Sequence, residues 1–512
     1  MLSPLLRGQQ QERITQWISL SAYVGNVLFA MNIQSTLSGT FIKTIAISIV
    51  FIVSFLWSWL VPAHVVLAEK MPNPGFHHSI SSQFQEVQHY FNQVLLLIYG
   101  LNGEAAMETF QAAIAVDPHC VLCYCGIAYA LGGFKSTNLE PHRKQLVATA
   151  LQQAIAHQSY ASPAEQAWIQ AFYDAFQGVT SVVTAMEKIV SQYPNDPDAA
   201  TLLAMILMDQ VKWQLWTVKG ELTTIGHRIL LILEGVLGKY PNHPGALHFY
   251  IHGVEPQHPE WGIPAADRLR TLSLNVAHLV HMPAHIYVRV GRYADALSVN
   301  QQAMAIAAQS ASHYPSTSLF SYAYLPHNYH FQWHLAMVTG QKKLAEETAQ
   351  QMVDLVDRQL VRQPGYGTLQ HFLALPLYTK LQFGQWDEIL TQSPPPIDLM
   401  YWRGVWHYAR GSANLSRGKG EAALQEWHQL CHLIHHPDLN PITMWGVNSA
   451  SDLLKIAAAV LRAKIAVQYH DWHRASLMFR EAIDREDALK YDDPPAWTTP
   501  VRQLMKEAYD SP

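Results

Sequence analysis

Charged side chains are scarce in this chain, and their scarcity excludes several classes of function. Asp, Glu, Lys and Arg together make up 14% of the 512 residues, and the formal net charge is only −5. The chain has no long run of Lys or Arg, so the basic surface that nucleic-acid binding needs is missing, and we predict no nucleic-acid partner. Hydrophobic residues reach 49%, which is typical of an ordered protein.

Cysteine is rare as well, with four residues. Cys120 and Cys123 form the only CxxC pair, so a zinc ribbon, which needs two such pairs, is excluded. Three roles stay open for this pair: a disulfide in an oxidising compartment, a redox or metal-binding pair, or packing as small hydrophobic residues. We interpret Cys431 as a lone core thiol.

Residues 44–68 contain no charged side chain, and an apolar core of about 18 residues follows Lys43. This layout predicts a signal peptide cleaved after Ala68, with an uncleaved membrane anchor as the alternative. In both cases residues 69 onward are exported to a periplasmic, lumenal or extracellular location. The signal peptide or anchor is therefore placed in residues 1–68. Met31 offers an alternative start within this segment.

Beyond residue 80 the apolar residues recur at spacings of three and four, which predicts an all-α chain. A unit of about 34 residues recurs, in which a helix with a Gly precedes a second helix rich in small residues. These units resemble tetratricopeptide repeats, and the resemblance implies a right-handed solenoid whose concave groove binds a protein or peptide. In such repeats small residues, here Ala106, Ala113, Ala294 and Ala296, let paired helices approach closely. The clearest copies are 92–118, 182–208, 285–307, 333–352 and 471–491.

Histidine is abundant, with 27 residues. Eight of them lie in three short stretches. Within each stretch the histidines share one helix face, because positions three, four and seven apart lie on the same side of a helix. Composition alone predicts about 0.08 copies of the 0, 3, 7 spacing in the chain, yet two copies occur. The eight are His248, His252, His278, His281, His285, His327, His330 and His334.

Helix geometry limits how these histidines can share an ion. A residue seven positions along lies about 10.5 Å away on the axis, so one ion cannot bind a whole triplet on a straight helix. We therefore predict a dinuclear transition-metal centre that takes ligands from three helices. Pro283 is expected to kink or end the helix between His281 and His285, whereas Pro326 is expected in the first turn of its helix.

Imidazole ligands and an exported location favour copper over zinc as the metal. Copper would give oxidative chemistry, and zinc would activate water for hydrolysis with Glu255 as a candidate base. We predict a metal-dependent enzyme. The alternative is a non-catalytic protein that either delivers metal or acts as an assembly scaffold and binds partners in the groove. An uncleaved N-terminus would also link the protein to a membrane.

Several stretches resemble those of bacterial tetratricopeptide-repeat proteins that carry HxxxH and HMPxH motifs. They are HPGALHFYIHGVE, HLVHMPAHIYVRVGRYADA, PHNYHFQWHLAMVTGQ, DPHCVLCYCGIAYALGG and ALKYDDPPAWTTPVRQ. The resemblance implies a solenoid with a histidine-lined cavity but no particular reaction. On these grounds we expect helical repeats at 69–240, the histidine site at 241–345, and further repeats at 346–512.

Overall fold

The computed structural model describes residues 76–132, 141–217, 219–310, 314 and 318–510. The predicted signal or anchor segment therefore lies outside the described residues. Among the residues that are described, no helix is both long and apolar enough to cross a membrane. The chain divides into two compact units, residues 1–253 and 254–512. That boundary falls inside the predicted histidine-rich segment 241–345, and the three predicted segments stay a prediction.

The described part of the first unit consists of helices, most of which pack against the next helix along the chain. Its described helices are α1 Gln85–Tyr99, α2 Gly103–Val116, α3 Val121–Ala130, α4 Pro141–Ala156, α5 Pro163–Phe176, α6 Val182–Gln192, α7 Pro197–Gln210, α8 Thr224–Lys239 and α9 Pro244–Val254.

Several helices of this unit begin at a residue whose side chain caps them. Ser162 accepts a hydrogen bond from the Glu165 amide, and the Glu165 carboxylate accepts one from the Ser162 amide, so α5 starts with a complete capping box. Asp196 caps α7 by accepting from two backbone amides. Pro163 and Pro197 each occupy the first turn, where a missing N–H costs nothing.

The second unit continues the same construction and adds a two-stranded antiparallel hairpin. Its described helices are α10 Ile263–Thr271, α11 Ala277–His281, α12 Pro283–Arg289, α13 Tyr293–Ser310, α14 Leu325–Val338, α15 Lys342–Leu355, α16 Thr368–Gln382, α17 Trp386–Thr391, α18 Met400–Ser416, α19 Gly420–Ile434, α20 Ala450–Gln468, α21 Trp472–Asp487 and α22 Val501–Asp510, and its strands are β1 Thr443–Met444 and β2 Asn448–Ser449.

One turn recurs between the first and second helix of a pair in the second unit. A residue with positive φ follows the first helix at each of these turns, which lets the chain reverse and close the last helical turn. Gly is the residue that adopts this conformation without a steric cost. The residues are Gly291, Gly340, Gly384, Gly418 and His470.

Small residues lie where the paired helices meet. Ala106, Ala113 and Ala296 are completely buried, as predicted. The prediction for Ala294 is wrong, because this residue is exposed on the outer side of α13. The prediction of an all-α, tetratricopeptide-like repeat fold is confirmed by these consecutive helix pairs, while the handedness of the solenoid stays a prediction.

Candidate metal centre

Three imidazoles converge in the second unit. His285 Nε2 lies 3.0 Å from His281 Nε2 and 3.2 Å from His327 Nε2. The three ring centroids form a nearly equal-sided triangle, with separations of 4.9, 4.9 and 5.3 Å. Ligand nitrogens about 2.0–2.1 Å from a tetrahedral ion are about 3.3 Å apart, so the three histidines have the spacing of a ligand set.

The two prolines singled out in the sequence position these side chains. Helix α11 ends at His281 and α12 begins at Pro283, so the helix is interrupted between two of the predicted ligands, as expected. His281 and His285 are four positions apart, and their Nε2 atoms lie close together across the interruption. Pro326 lies in the first turn of α14, as predicted, one residue before His327.

The outer nitrogen of His281 is held by an amide. His281 Nδ1 lies 2.8 Å from Asn300 Oδ1 on α13, and Asn300 Nδ2 donates to the Asn328 carbonyl over 2.8 Å. The second bond orients the Asn300 amide so that its oxygen accepts from His281 Nδ1–H. This interaction fixes the tautomer and leaves the lone pair on Nε2, the atom that points into the group.

The outer nitrogen of His285 is held by two carboxylates. Its Nδ1 lies 3.1 Å from Glu255 Oε2 and 3.3 Å from Asp493 Oδ2. All three side chains are buried. Asp493 belongs to the segment between α21 and α22, which is anchored by reciprocal hydrogen bonds between Asn448 and the Lys490 backbone of 3.0 and 2.9 Å.

These carboxylates determine the charge of the group. Burial alone would lower the pKa of His285, but Glu255 and Asp493 outweigh it and raise that pKa to about 10. Burial, followed by the nearby His281 and His285, lowers the pKa of His327 well below its usual value. His285 is therefore an imidazolium at neutral pH, and its Nε2–H points at the neighbouring imidazoles, where a cation would bind.

An apolar wall closes one side of the group. The Phe331 ring centroid lies 4.5 Å from those of His281 and His285 and 4.9 Å from that of His327, and Phe331 is completely buried. His281 and His285 are buried, whereas His327 is partly exposed. His327 is therefore the member of the group that is partly in contact with solvent.

Two of the predicted ligands belong to the first unit. His248 Nδ1 donates to the Tyr99 carbonyl over 2.5 Å, which leaves Nε2 with the lone pair. The His252 ring centroid lies 4.8 Å from that of His248 and 5.2 Å from that of Trp213. The predicted dinuclear centre would draw on both units and stays a prediction.

The remaining predicted ligands, His278, His330 and His334, lie in the second unit outside the three-histidine group. The His278 ring centroid is 6.1 Å from that of His281 and 5.3 Å from that of Tyr324. Burial lowers the pKa of both His330 and His334, so these two are neutral imidazoles. Each triplet thus contributes only part of its histidines, which agrees with the limit set by helix geometry.

Sequence reasoning missed three residues of this group. Asn300 and Asp493 lie outside the histidine-rich stretches, and only the segment KYDDPPAW drew attention to Asp493. Phe331 lies within the stretch 327–334, but an apolar side chain gives no sign of a ligand site. Glu255, predicted as a candidate base, lies instead beside the outer nitrogen of His285.

Cys120 and Cys123 are joined by a disulfide with a Cα–Cα distance of 5.4 Å, which was one of the three open alternatives. The two residues are 4% and 0% exposed, so neither sulfur is open to a redox partner. Burial raises the pKa of the neighbouring Cys125 thiol to about 12, which makes it unreactive.

Comparison with known proteins leaves the family unassigned. No protein-family model matches the sequence, and no curated protein is significantly similar to it. A tetratricopeptide repeat protein from Parabacteroides merdae is 12% identical, with 68% of this chain and 99% of that chain covered and a TM-score of 0.32.

Two further solved structures have similar values. The human IFIT1 dimer with m7Gppp-AAAA is 12% identical, with 87% and 83% coverage of the two chains and a TM-score of 0.34. Yeast Tom70 is 10% identical, with 83% and 89% coverage and a TM-score of 0.29. Values this low establish neither homology nor function. The resemblance to bacterial repeat proteins with HxxxH and HMPxH motifs stays a prediction.

Proposed function

We propose that the second unit binds one divalent transition-metal ion through the Nε2 atoms of His281, His285 and His327, and that the protein is a metal-dependent hydrolase. The observation that carries this proposal is the convergence of three imidazole nitrogens whose outer nitrogens are held by Asn300 and by carboxylates. Three histidines with a fourth position left for water are the ligand pattern of catalytic zinc sites.

The shape of the group favours zinc over the copper that the imidazole ligands and the exported location led us to expect. A tetragonal copper(II) site would place two of three ligands opposite each other, with ring centroids about 6.4 Å apart. The three centroid distances are instead nearly equal. Glu255 and Asp493 together supply two negative charges beside His285, and these balance the two positive charges of a divalent ion.

A bound divalent ion would supply a Lewis acid that lowers the pKa of a coordinated water to about 7. The residues around it have separate tasks. Asn300 and Glu255 would fix the orientation of two imidazoles, Phe331 would exclude water from one side, and a substrate would reach the ion past the partly exposed His327. The buried disulfide supports an exported location, because disulfides persist in oxidising compartments.

Elemental analysis and a chelator competition on the full-length protein test this proposal. We expect one zinc ion that is lost in His281→Ala and in His327→Ala and retained in His334→Ala, a matched control on α14 outside the group. Hydrolysis of an activated ester should require the ion. Wild-type protein that binds no zinc when folded would refute the proposal.

A non-catalytic role is the second candidate, and it rests on the helix pairs and the partial exposure of His327. A delivery protein would release its ion to an acceptor protein within seconds to minutes, whereas a catalytic site would retain it through extended dialysis. If the protein is a scaffold, the His281→Ala variant should bind its partner as the wild type does. Measuring zinc exchange and partner binding on the same variants separates the three roles.

A further inference from the structure

A tryptophan in an unusual backbone conformation lies beside the three-histidine group. Trp445 is at the tip of the hairpin between β1 and β2. Its ring centroid is 6.2 Å from that of His327, with an interplanar angle of 84°. Both side chains are partly exposed. Trp445 therefore offers an aromatic surface next to the member of the group that is in contact with solvent.

The backbone of Trp445 has a conformation that a bulky side chain disfavours. The φ angle is 53° at Trp445 and 72° at Gly446, and the Val447 amide donates a hydrogen bond to the Met444 carbonyl over 2.9 Å. These features define a type I′ turn, in which Asn or Gly is preferred at the first central position. A bulky residue with positive φ is a steric outlier, and such outliers are concentrated at functional sites.

Contacts with α16 hold the turn in this conformation. The Trp445 amide donates to Thr368 Oγ1 over 2.8 Å, and the Thr368 hydroxyl donates to the Thr443 carbonyl over 3.3 Å. Gly367 lets the strand come close to the helix, because a Cβ there would lie 3.0 Å from the Thr443 amide nitrogen. The Phe372 ring centroid, on the same helix, is 5.7 Å from that of Trp445. The fold therefore positions the indole without the help of a ligand.

We propose that Trp445 is a specificity-determining residue, which selects substrates that carry an aromatic acyl group next to the scissile bond. This inference rests on the proposed hydrolase. An ion on His327 Nε2 lies about 3.2 Å from the centroid of that ring. Adding the 6.2 Å between the two rings places the ion at most about 9.4 Å from the indole centroid. Aromatic rings pack at centroid distances of about 4.5–7 Å, so a phenyl ring attached to a carbonyl on the ion can reach the indole.

The surroundings of His327 favour an uncharged, apolar substrate group. Two aromatic rings flank its imidazole, with centroid distances of 4.9 Å to Phe331 and 6.2 Å to Trp445. Small-molecule sites are typically lined by such aromatic side chains with a few polar groups that fix orientation. A structural role alone does not require an indole at the turn, because Asn at this position would form the same turn without the steric cost.

The test compares two zinc-binding hydroxamates on full-length, zinc-loaded protein by calorimetry. Benzohydroxamate carries a phenyl ring where acetohydroxamate carries a methyl group. Wild type should bind benzohydroxamate at least tenfold more tightly than acetohydroxamate. Trp445→Asn should reduce this ratio to less than threefold and leave the affinity for acetohydroxamate unchanged, whereas Trp445→Phe should keep most of the ratio. Trp472→Asn, a control at a 52% exposed position on α21, should behave as wild type.

Two results overturn the inference and leave the hydrolase standing. They are equal binding of both hydroxamates by zinc-loaded wild type, and an unchanged ratio in folded Trp445→Asn. Protein that binds no zinc overturns both proposals. A crystal structure of zinc-loaded wild type with benzohydroxamate covers the case in which the variants do not fold. A phenyl ring in contact with the Trp445 indole supports the inference, and a phenyl ring placed away from the indole overturns it.

Discussion

Replacing Glu255 by Gln should weaken zinc binding about 50-fold without unfolding the protein. Glu255 does not contact the proposed ion, but its carboxylate faces the outer nitrogen of His285. The amide keeps the size of the side chain and can still accept a hydrogen bond, so the substitution removes mainly a negative charge. Asp493→Asn should act in the same direction.

The magnitude follows from charge and distance. Glu255 Oε2 is 3.1 Å from His285 Nδ1, which places it about 7 Å from an ion on Nε2. Because His285 is an imidazolium before binding, a divalent ion that replaces its proton adds one unit of positive charge. At an effective dielectric constant of about 20, that charge interacts with the carboxylate by about 2.4 kcal/mol, or about 50-fold in the dissociation constant.

Competition with a chromophoric chelator measures the affinity, and calorimetry in two buffers measures the protons released. Since the pKa of His285 is about 10, zinc affinity in wild type should rise about tenfold per pH unit between about 7 and 9. The slope should be shallower in Glu255→Gln, where that pKa falls. Glu260→Gln is the matched control, because Glu260 is an exposed carboxylate paired with His258 at 2.9 Å. Affinities of Glu255→Gln and Asp493→Asn within threefold of wild type would refute the reasoning.

Three further predictions concern stability and are measured by thermal or denaturant unfolding. Phe331→Ala, which removes a completely buried ring, should cost about 3–5 kcal/mol, whereas Phe84→Ala at a 52% exposed position should be nearly neutral, and equal losses would contradict this. Gly126→Ala places a Cβ 1.8 Å from the Phe110 ring and should cost about 1–3 kcal/mol, whereas Gly235→Ala, with open space around it, should stabilise α8 by about 0.5–1 kcal/mol. In the first unit, burial alone would lower the pKa of His78, but its hydrogen bond to Asp198 raises it above 6.5. The contribution of this pair to the free energy of unfolding is therefore full below pH 6.5 and is lost as the pH rises through the raised pKa. Burial alone would raise the pKa of Asp198, but His243 and His78 lower it below 3.8. The contribution of the Asp198 carboxylate to the free energy of unfolding is therefore full above pH 3.8 and is lost on acidification. His78→Gln should therefore reduce the fall in melting temperature above pH 6.5, and an unchanged pH profile would contradict the assignment.

Local sequence carried much of the fold and the general region of the site. The helix pairs, the glycine turns and the first-turn Pro326 all follow from short-range preferences of neighbouring residues. Pro283 predicted an interruption of the helix between His281 and His285, and the structure has one there. The same local reasoning failed at Ala294, because small size marks a close helix contact only if the residue faces the partner helix.

Residues far apart in sequence could be grouped only by the folded chain. His327 completes the group from 42 positions beyond His285, and Asp493 reaches the same imidazole from the segment before the last helix. Sequence by itself determined a helical-repeat chain rich in aligned histidines. Tertiary packing decided which of those histidines lie close enough to share an ion. Ligand grouping depends on distances of about 3 Å between nitrogens, and helix periodicity sets such distances only within one helix.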